Sequence, residues 1–336
     1  MKRIYRAALI GCGKMGLEEK RYAKEIYPVT HAAAYDSHPR AKLCALADIS
    51  QERLAVAKSY YPKLPLYTSA KELLRKEKPD IVSIATQPDT HAMLTALAAQ
   101  YKTKAIVCEK PIAYSLLEGR AMIDACKKNG SLLFINHGRR FDPLIGAWAK
   151  KVRAGIIGDV MQGNGFYYNG LFNNATHTID LLRFFLGEIT AVQGWTNQKT
   201  TSLENDNNID AFLHFKNGAR VALQTLPKNY GFAPLYFYGT KGRVALKALG
   251  ATIEYTKLVD NTTWKGYYQL SSHAQTMGKV RGFTKSMVTH VVHCLDKKEI
   301  PLSAGEDGLA ALGVLLAIQE SAKSNEKLIN LHDLRS

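Results

Sequence analysis

The sequence predicts an α/β protein of two domains: an N-terminal doubly wound parallel sheet and a C-terminal α+β domain with a large, mostly antiparallel open sheet. The length of 336 residues exceeds the ~100–200 residues usual for one domain. Over residues 1–135, short apolar runs alternate with helical stretches, which is typical of a parallel sheet buried on both faces. After residue 158, β-like segments separated by turn signals dominate, which indicates hairpins.

The predicted elements follow from this pattern in chain order. In the N-terminal part the strands are expected at 7–10, 42–47, 81–85, 105–108 and 132–135, and the helices at 31–37, 51–59, 71–77, 90–100 and 115–128. In the C-terminal part the strands are expected at 160–168, 190–196, 209–215, 219–225, 235–240 and 251–256, and the helices at about 175–186, 279–295 and 306–324. Asn129-Gly130 and Lys216-Asn217-Gly218 are typical helix-stop and hairpin-turn signals.

The composition is that of a globular protein without a membrane span. Apolar residues make up 46% and charged residues 22%, as in globular proteins. The longest apolar run, 308–318, is shorter than the ~18–20 residues of a membrane span. The apolar segment 7–10 is shorter than the ~7–15 residues of a signal-peptide core, so we expect a cytoplasmic protein. The five cysteines, at 12, 44, 108, 126 and 294, show no zinc spacing, so we expect reduced thiols and no metal site.

The net charge of +16 admits two interpretations. Nucleic-acid binding needs basic residues clustered on one face or a known module. Here the lysines are spread along the chain and no basic run exceeds three residues. A basic surface that attracts anionic small molecules is therefore favoured, and no nucleic-acid partner is expected.

A glycine-rich segment directly follows the first predicted strand. Ile10 to Gly16 reads I-G-C-G-K-M-G, a G-x-G-x-x-G pattern in a strand–turn–helix context. Gly11 permits the tight turn, Gly13 lets the backbone approach a pyrophosphate, and Gly16 allows close helix–strand packing. We expect Cys12, Lys14 and Met15 to complete a dinucleotide-binding turn; a glycine turn of another α/β protein is the alternative.

Asp48 ends the second predicted strand. A carboxylate there binds the ribose diol of NAD and repels the 2′-phosphate of NADP. It lies further from the glycines than the usual ~20 residues, which we attribute to an insertion at 17–30. That insertion is either a cover of the substrate entry or a solvated loop. A helix N-cap role for Asp48 stays open, and Ser50 and Arg53 keep NADP open as the cofactor.

Two further segments carry candidate chemistry. Lys110, in Glu109-Lys110-Pro111, follows a predicted strand at its carboxyl end, where ligands of such sheets bind; a surface lysine is the alternative. Near the start of the helix at 175–186, Asn173, His177 and Asp180 fall on one face. The alternatives are an Asn173 or Asn174 N-cap and a core histidine. Tyr167, Tyr168 and Phe172, just before that helix, either stack on a sugar ring or belong to the core.

Taken together, these segments resemble the glucose–fructose oxidoreductase / inositol dehydrogenase / MocA family. The resemblance runs in order through IGCGKMG, HAAAYDSHPRAKLCALADIS, IVSIATQPDTH, CEKPIAYSLLEG, NHGRRFDP, GIIGDV, NNATHTIDLLRFFLGE and AGEDGLAALGVLLAIQESAKSNE. It implies an N-terminal Rossmann domain over 1–135 and a substrate and oligomerisation domain over 136–336. It also implies a homodimer or homotetramer formed through the C-terminal sheet.

The resemblance assigns roles residue by residue. It places Lys110 beside the nicotinamide and makes His177 the acid/base residue. At position 173 the family usually has a carboxylate, and Asn173 cannot take a proton. The cofactor-binding residues it implies are Gly11, Cys12, Gly13, Lys14, Met15, Gly16, Asp48, Thr86, Gln87, His91, Glu109 and Lys110. The substrate-binding residues expected are Asn136, Arg140, Tyr168, Asn173 and Asp180.

The predicted function is hydride transfer between NAD(P) and a hydroxyl or carbonyl group of a sugar, cyclitol or sugar nucleotide. His177 would act as general base and Lys110 would stabilise the developing charge on oxygen. Two other functions stay open: a glycosidase of the same family that retains its NAD, and a non-catalytic NAD-binding sensor.

Overall fold

The computed structural model describes residues 3–18, 29–197, 206–228, 230–231, 233–247, 252–279 and 282–332. The chain divides into two compact units, the first formed by 1–142 with 281–310 and the second by 143–280 with 311–336. This division differs from the predicted boundary after residue 135. The chain returns to the first unit near its end because Met287, Val288 and Val291 pack in the same core as Phe134 and Phe141.

The first unit is built on a six-stranded sheet. Its strands are β1 (Tyr5–Ile10), β2 (Ala41–Ala47), β3 (Leu66–Tyr67), β4 (Ile81–Ile84), β5 (Ala105–Cys108) and β6 (Leu132–Ile135). All neighbours are parallel, in the order β3-β2-β1-β4-β5-β6. The predicted doubly wound Rossmann sheet is confirmed. The strand order reverses between β1 and β4, and in such sheets ligands bind at that point.

In the part of the chain that the structure describes, five helices connect these strands: α1 (His31–Asp36), α2 (Gln51–Tyr60), α3 (Ala70–Glu77), α4 (His91–Gln100) and α5 (Leu116–Asn129). Local sequence explains where four of them begin, since Thr30, Ser50, Ser69 and Ser115 each accept an N–H of the first turn. Gly130 ends α5 with φ of 72°, as the helix-stop signal predicts. Between β1 and α1 lies a π-helical turn at Lys14–Glu18.

The second unit and the C-terminal segments contain the remaining elements. They are α6 (Pro143–Arg153), β7 (Val160–Tyr168), a π-helical turn (Leu171–Ala175), α7 (Thr176–Leu186), β8 (Ile189–Thr196), β9 (Ile209–Phe215), β10 (Arg220–Leu226), β11 (Leu235–Gly239), β12 (Gly242–Lys247), β13 (Thr252–Asp260), β14 (Tyr268–Leu270), β15 (Gln275–Lys279), α8 (Phe283–Lys297), α9 (Gly305–Lys323) and β16 (Ile329–Asn330).

The second sheet is large, as predicted. Its order is β14-β13-β12-β11-β7-β10-β9-β8-β16, with β15 paired to β13. Neighbours are antiparallel apart from the parallel pair β10 and β7. Buried and more exposed residues alternate along β9 and β11, so one face of these strands is packed against the core and the other is open.

Other predictions from composition can be compared with the structure. The cysteines are free thiols, and Cys12, Cys108, Cys126 and Cys294 are buried. Within the described residues there is no cluster of three metal-ligating side chains and no helix long and apolar enough to cross a membrane. The cytoplasmic location stays a prediction.

Candidate functional site

The glycine turn after β1 has the geometry of a nucleotide-binding turn. Gly11 has φ of 97°, and a Cβ on it would lie 2.5 Å from the Ala85 carbonyl oxygen. A Cβ on Gly16 would lie 2.0 Å from the Gly11 carbonyl oxygen, so only glycine fits at either position. A Cβ on Gly13 would meet only the Arg53 guanidinium, 3.7 Å away. The turn therefore presents an open backbone surface beside a cation, which suits a pyrophosphate.

Asp48 follows β2 and is buried. Its carboxylate accepts hydrogen bonds from the backbone N–H groups of Cys12, at 2.8 Å, and Ser50, at 2.9 Å. The Arg53 guanidinium lies 3.7 Å from it. The N-cap alternative for Asp48 is wrong, because the Ser50 hydroxyl caps α2. Asp48 instead ties the glycine turn to the start of α2.

The carboxyl ends of the parallel strands are joined by a regular row of hydrogen bonds. After β1, β4, β5 and β6, the first backbone N–H donates to the last carbonyl of the neighbouring strand. These bonds are Gly11 to Ala47, Ala85 to Ile10, Glu109 to Ile84 and Asn136 to Cys108, at 2.8–2.9 Å. Because this row continues the sheet, the segments beginning at 11, 85, 109 and 136 leave it along one edge.

The segment after β4 is braced by His91. The buried ring lies with Nδ1 3.0 Å from the Pro111 carbonyl oxygen and Nε2 3.3 Å from the Thr86 carbonyl oxygen. Burial lowers the pKa of His91, so the ring is neutral and donates to one carbonyl at a time. Gln87 is exposed. His91 therefore links the loops after β4 and β5.

Glu109 is held in a buried polar cluster. Its Oε1 accepts from His31 Nε2 at 2.8 Å and from Asn136 Nδ2 at 2.7 Å, and its Oε2 accepts from the Lys110 backbone N–H at 3.3 Å. Burial opposes ionisation, but the His31 hydrogen bond, the charges of His31 and Lys110, and Asn136 together lower the pKa of Glu109 to about 2. The carboxylate is therefore ionised, directly before the half-buried Lys110.

The two predicted substrate-binding residues after β6 differ in their surroundings. Asn136 Oδ1 is buried without a hydrogen-bond partner among the described residues, so it can accept a bond from a bound molecule. The Arg140 guanidinium donates to the Leu302 carbonyl and pairs with Asp307 at 2.9 Å. Arg140 thus also has a structural role in the first unit.

The helix that carries His177 belongs to the second unit. Ile179, Leu182 and Asp180 are buried, whereas His177 is half-buried. The N-cap alternative for Asn173 or Asn174 is wrong: α7 follows directly on the π-helical turn, and Ala175 holds its N-cap position. The Asn173 amide nitrogen instead donates to the Asn169 carbonyl at 3.0 Å.

Asp206 caps the π-helical turn before α7, and sequence reasoning missed it. Its carboxylate accepts from the backbone N–H groups of Phe172 and Asn173 at 2.9 and 2.8 Å. Gly170, with φ of 97°, leaves room for it, since a Cβ there would lie 2.1 Å from Asp206 Oδ2. Asp206 is 33 residues from Asn173 in the chain, so no local pattern could indicate this contact.

Two of the three aromatic residues before α7 lie in the core. Tyr167 is 1% exposed, and its hydroxyl donates to the Ile209 carbonyl and accepts from the Ile209 N–H, both at 2.8 Å. Phe172 is also buried. Both therefore belong to the core, while Tyr168 is half-buried. Of the predicted insertion, residues 19–28 lie outside the described part of the chain.

Comparison with known proteins identifies the family. Residues 5–137 match a family described as an oxidoreductase family with an NAD-binding Rossmann fold, and residues 168–245 match the GFO/IDH/MocA C-terminal domain. The chain belongs to the GFO/IDH/MocA family. It is an oxidoreductase with an NAD-binding fold, as the resemblance implied.

Several curated relatives span almost the whole chain. D-apiose dehydrogenase from Paraburkholderia graminis is 25% identical over 95% of this chain and 88% of its own length. Inositol 2-dehydrogenase from Rhizobium meliloti is 25% identical over 96% and 98%. Levoglucosan dehydrogenase in complex with NADH and levoglucosan has a TM-score of 0.81 at 19% identity, covering 98% of this chain and 100% of its own. At that identity the structural likeness shows the fold alone.

Proposed function

We propose that the protein is an NAD-dependent dehydrogenase that interconverts a hydroxyl and a carbonyl group on a cyclitol, sugar or sugar nucleotide. One observation carries the proposal. The glycine turn and the Glu109–Lys110 segment leave one edge of the first sheet, and Asp48 is hydrogen-bonded to that turn. Ligands of doubly wound sheets bind at this edge.

The residues of the first unit fit a dinucleotide. The turn from Gly11 to Gly16 would hold the pyrophosphate, and the Asp48 carboxylate would accept the ribose hydroxyls. NADP remains the alternative, because the exposed Arg53 and the neighbouring Ser50 suit a 2′-phosphate. Asn136 Oδ1 offers a buried acceptor at the same edge.

The proposed proton chemistry uses two side chains. When bound, the nicotinamide supplies the hydride acceptor. The Lys110 ammonium donates a hydrogen bond to the reacting oxygen and stabilises its developing negative charge. His177 accepts the hydroxyl proton as general base and returns it as acid in the reverse direction. Asp180, on the same helix, is the proposed partner of His177, and Tyr168 and Asn173 are proposed to contact the substrate.

The substrate class is supported by the relatives. Enzymes named for D-apiose, inositol and levoglucosan align with most or half of this chain, and all three compounds are polyhydroxylated. The test is a panel of D-apiose, myo-inositol, levoglucosan and UDP-N-acetylglucosamine, offered with NAD and with NADP while NADH or NADPH absorbance is followed. Turnover of one member supports the proposal. Sugar release without net NADH indicates the glycosidase, and NAD binding without any turnover indicates the sensor.

We also propose that the open face of the second sheet joins copies of the chain into a homodimer or homotetramer. Phe212 on β9 is 40% exposed between the buried Ala211 and Leu213. Light scattering of the purified protein tests this: an Asp or Lys in place of Phe212 should shift the mass towards the monomer.

A further inference from the structure

A buried chain of polar side chains runs from the core of the first unit to the residue before Lys110. The Tyr35 hydroxyl lies 2.8 Å from Ser83 Oγ, which lies 2.9 Å from His31 Nδ1, and His31 Nε2 lies 2.8 Å from Glu109 Oε1. Tyr35, Ser83 and His31 are completely buried. Burying polar groups is costly unless each is hydrogen-bonded, and here a single line of bonds satisfies them.

Tyr35, at the end of this line of hydrogen bonds away from Glu109, fixes the line in the core. Burial raises the pKa of Tyr35, so its hydroxyl keeps its proton. Tyr35 therefore donates to Ser83 Oγ, and His31 donates to Glu109 through Nε2–H. Because this line of hydrogen-bonded side chains ends in the core, it holds Glu109 in place and gives protons no route to solvent.

Glu109, at the other end, interacts with Lys110 in two ways. Glu109 Oε2 accepts the Lys110 backbone N–H, which fixes the start of the loop. The charge attraction between Lys110 and Glu109 favours the ionised form of both groups, since an electrostatic interaction is mutual. Among the described residues, Cys108 and His91 are further titratable groups that interact with Glu109. Burial raises the pKa of the first and lowers that of the second, so both are neutral.

We propose that His31 is a positioning residue for Lys110: it holds the Glu109 carboxylate ionised and oriented, and the carboxylate in turn keeps Lys110 in place as an ammonium. This inference rests on the proposed role of Lys110 at the reacting oxygen. No pattern around residue 31 indicates it, because its partners lie 52 and 78 residues away in the chain.

The experiment measures the reactivity of the Lys110 amine in the whole protein, without any substrate. Wild type, His31→Leu, Glu109→Gln and the double variant are labelled with trace acetic anhydride at pH 8, and acetylation is read by peptide mass spectrometry. The exposed Lys102 is the internal control. Lys110 should label at least about threefold faster in each single variant, because less of it is held as ammonium. The double variant should label no faster than Glu109→Gln.

Equal Lys110 labelling in wild type and His31→Leu would overturn the inference, as would independent, multiplying effects in the double variant. If His31→Leu does not fold, His31→Gln takes its place and should label between wild type and Glu109→Gln, since its amide can still donate to the carboxylate. A Lys110→Met variant separates the two claims. Normal turnover by it defeats the proposed role of Lys110, whereas its inactivity with unchanged labelling in His31→Leu defeats only the role of His31.

Discussion

At the scale of single residues, His177 is the half-buried side chain at the start of α7 that suits the proposed proton transfer. Between positions 173 and 180 the side chains able to titrate are His177 and Asp180, and Asp180 is 1% exposed. The amide at Asn173 is engaged with a backbone carbonyl and cannot exchange a proton with substrate.

Replacing His177 by Ala should therefore lower kcat by about 10²–10⁴-fold, the usual contribution of a general acid or base. The KM for NAD should stay within about twofold of wild type, because the dinucleotide site lies in the first unit. Steady-state kinetics with the best substrate of the panel measures both, with His177→Asn as the variant of similar size. Undiminished turnover by either variant would exclude His177 as the base.

We expect the Asp48 carboxylate to set the preference for NAD over NADP. In Asp48→Asn the side chain keeps its shape but loses the charge that opposes a 2′-phosphate. The ratio of kcat/KM for NAD to that for NADP should fall about tenfold or more, equivalent to about 1.4 kcal/mol. Arg53→Ala is the matched variant and should move the ratio the other way. An unchanged ratio in Asp48→Asn would show that the carboxylate serves only to bind Cys12 and Ser50.

Local patterns could indicate only some of these residues. The glycines, Asp48 and Lys110 carry signals in neighbouring residues: a spacing, the end of a strand, a following proline. His31 and Asp206 carry none, because each acts through a partner far along the chain. Sequence reasoning finds the residues of a motif more readily than those that support it from a distance.

At the scale of elements, the packing of the glycine turn is the tightest constraint. Gly16→Ala would place a methyl group 2.0 Å from the Gly11 carbonyl oxygen, so the turn must open. NAD affinity should fall at least about tenfold, as measured by NADH fluorescence. Gly146→Ala is the control, since a Cβ there meets no atom within 4 Å and α6 should gain up to about 1 kcal/mol. Equal NAD affinity in both variants would contradict the assigned turn.

The π-helical turn before α7 depends on Asp206. Removing its carboxylate leaves the Phe172 and Asn173 N–H groups without that acceptor, so Asp206→Ala should cost about 2–3 kcal/mol of unfolding free energy. Denaturant unfolding measures the loss, with the exposed Asp260→Ala as control. A loss no larger than in the control would mean that the turn is held by other contacts.

The strands that sequence reasoning found are those with strong local patterns. The predicted bounds of β5, β6, β7 and β9 agree with the structure, because apolar or alternating runs define them. It missed β3, α6, β12 and β14–β16. β3 and β16 are two residues long, which is too short for a clear pattern. α6 is stabilised by burying Ile145, Trp148 and Val152, and its local sequence, which contains Gly146, does not indicate a helix.

At the scale of the whole molecule, the buried titratable groups should make the folded state less stable at low pH. The folded-state pKa of Glu109 is about 2, below its ordinary 4.5, so its contribution is complete above pH 4.5 and is lost as pH falls towards 2. Its size is on the order of 3 kcal/mol. Burial also lowers the pKa of His91 and His290, so both favour the folded state above pH 6.5 and lose that effect on acidification.

The Tm should therefore fall steadily from about pH 6 to pH 3. Glu109→Gln should reduce the slope between pH 5 and pH 3, because no carboxylate remains to be protonated. Glu52→Gln, at an exposed site on α2, is the control and should keep the wild-type slope. A parallel pH dependence of Tm in wild type and Glu109→Gln would contradict the ionised, hydrogen-bonded state of Glu109.

The division of the chain could be foreseen only in outline. A change from strand–helix alternation to hairpins marks two units, but α8 returns to the first unit through Met287 and Val291 in its core. The packing of α8 in the first unit depends on contacts between distant segments, which composition and periodicity cannot indicate.

The proposed role of Lys110 is to act on the oxygen of a hydroxyl group that is oxidised with NAD. The most direct measurement is the initial rate of NADH formation on the polyol and sugar panel, for wild type and Lys110→Met side by side. We expect wild type to oxidise at least one member and Lys110→Met to be at least about 10²-fold slower while it still binds NADH. A wild-type rate in Lys110→Met would contradict this role, as would purified wild type that binds neither NADH nor NADPH.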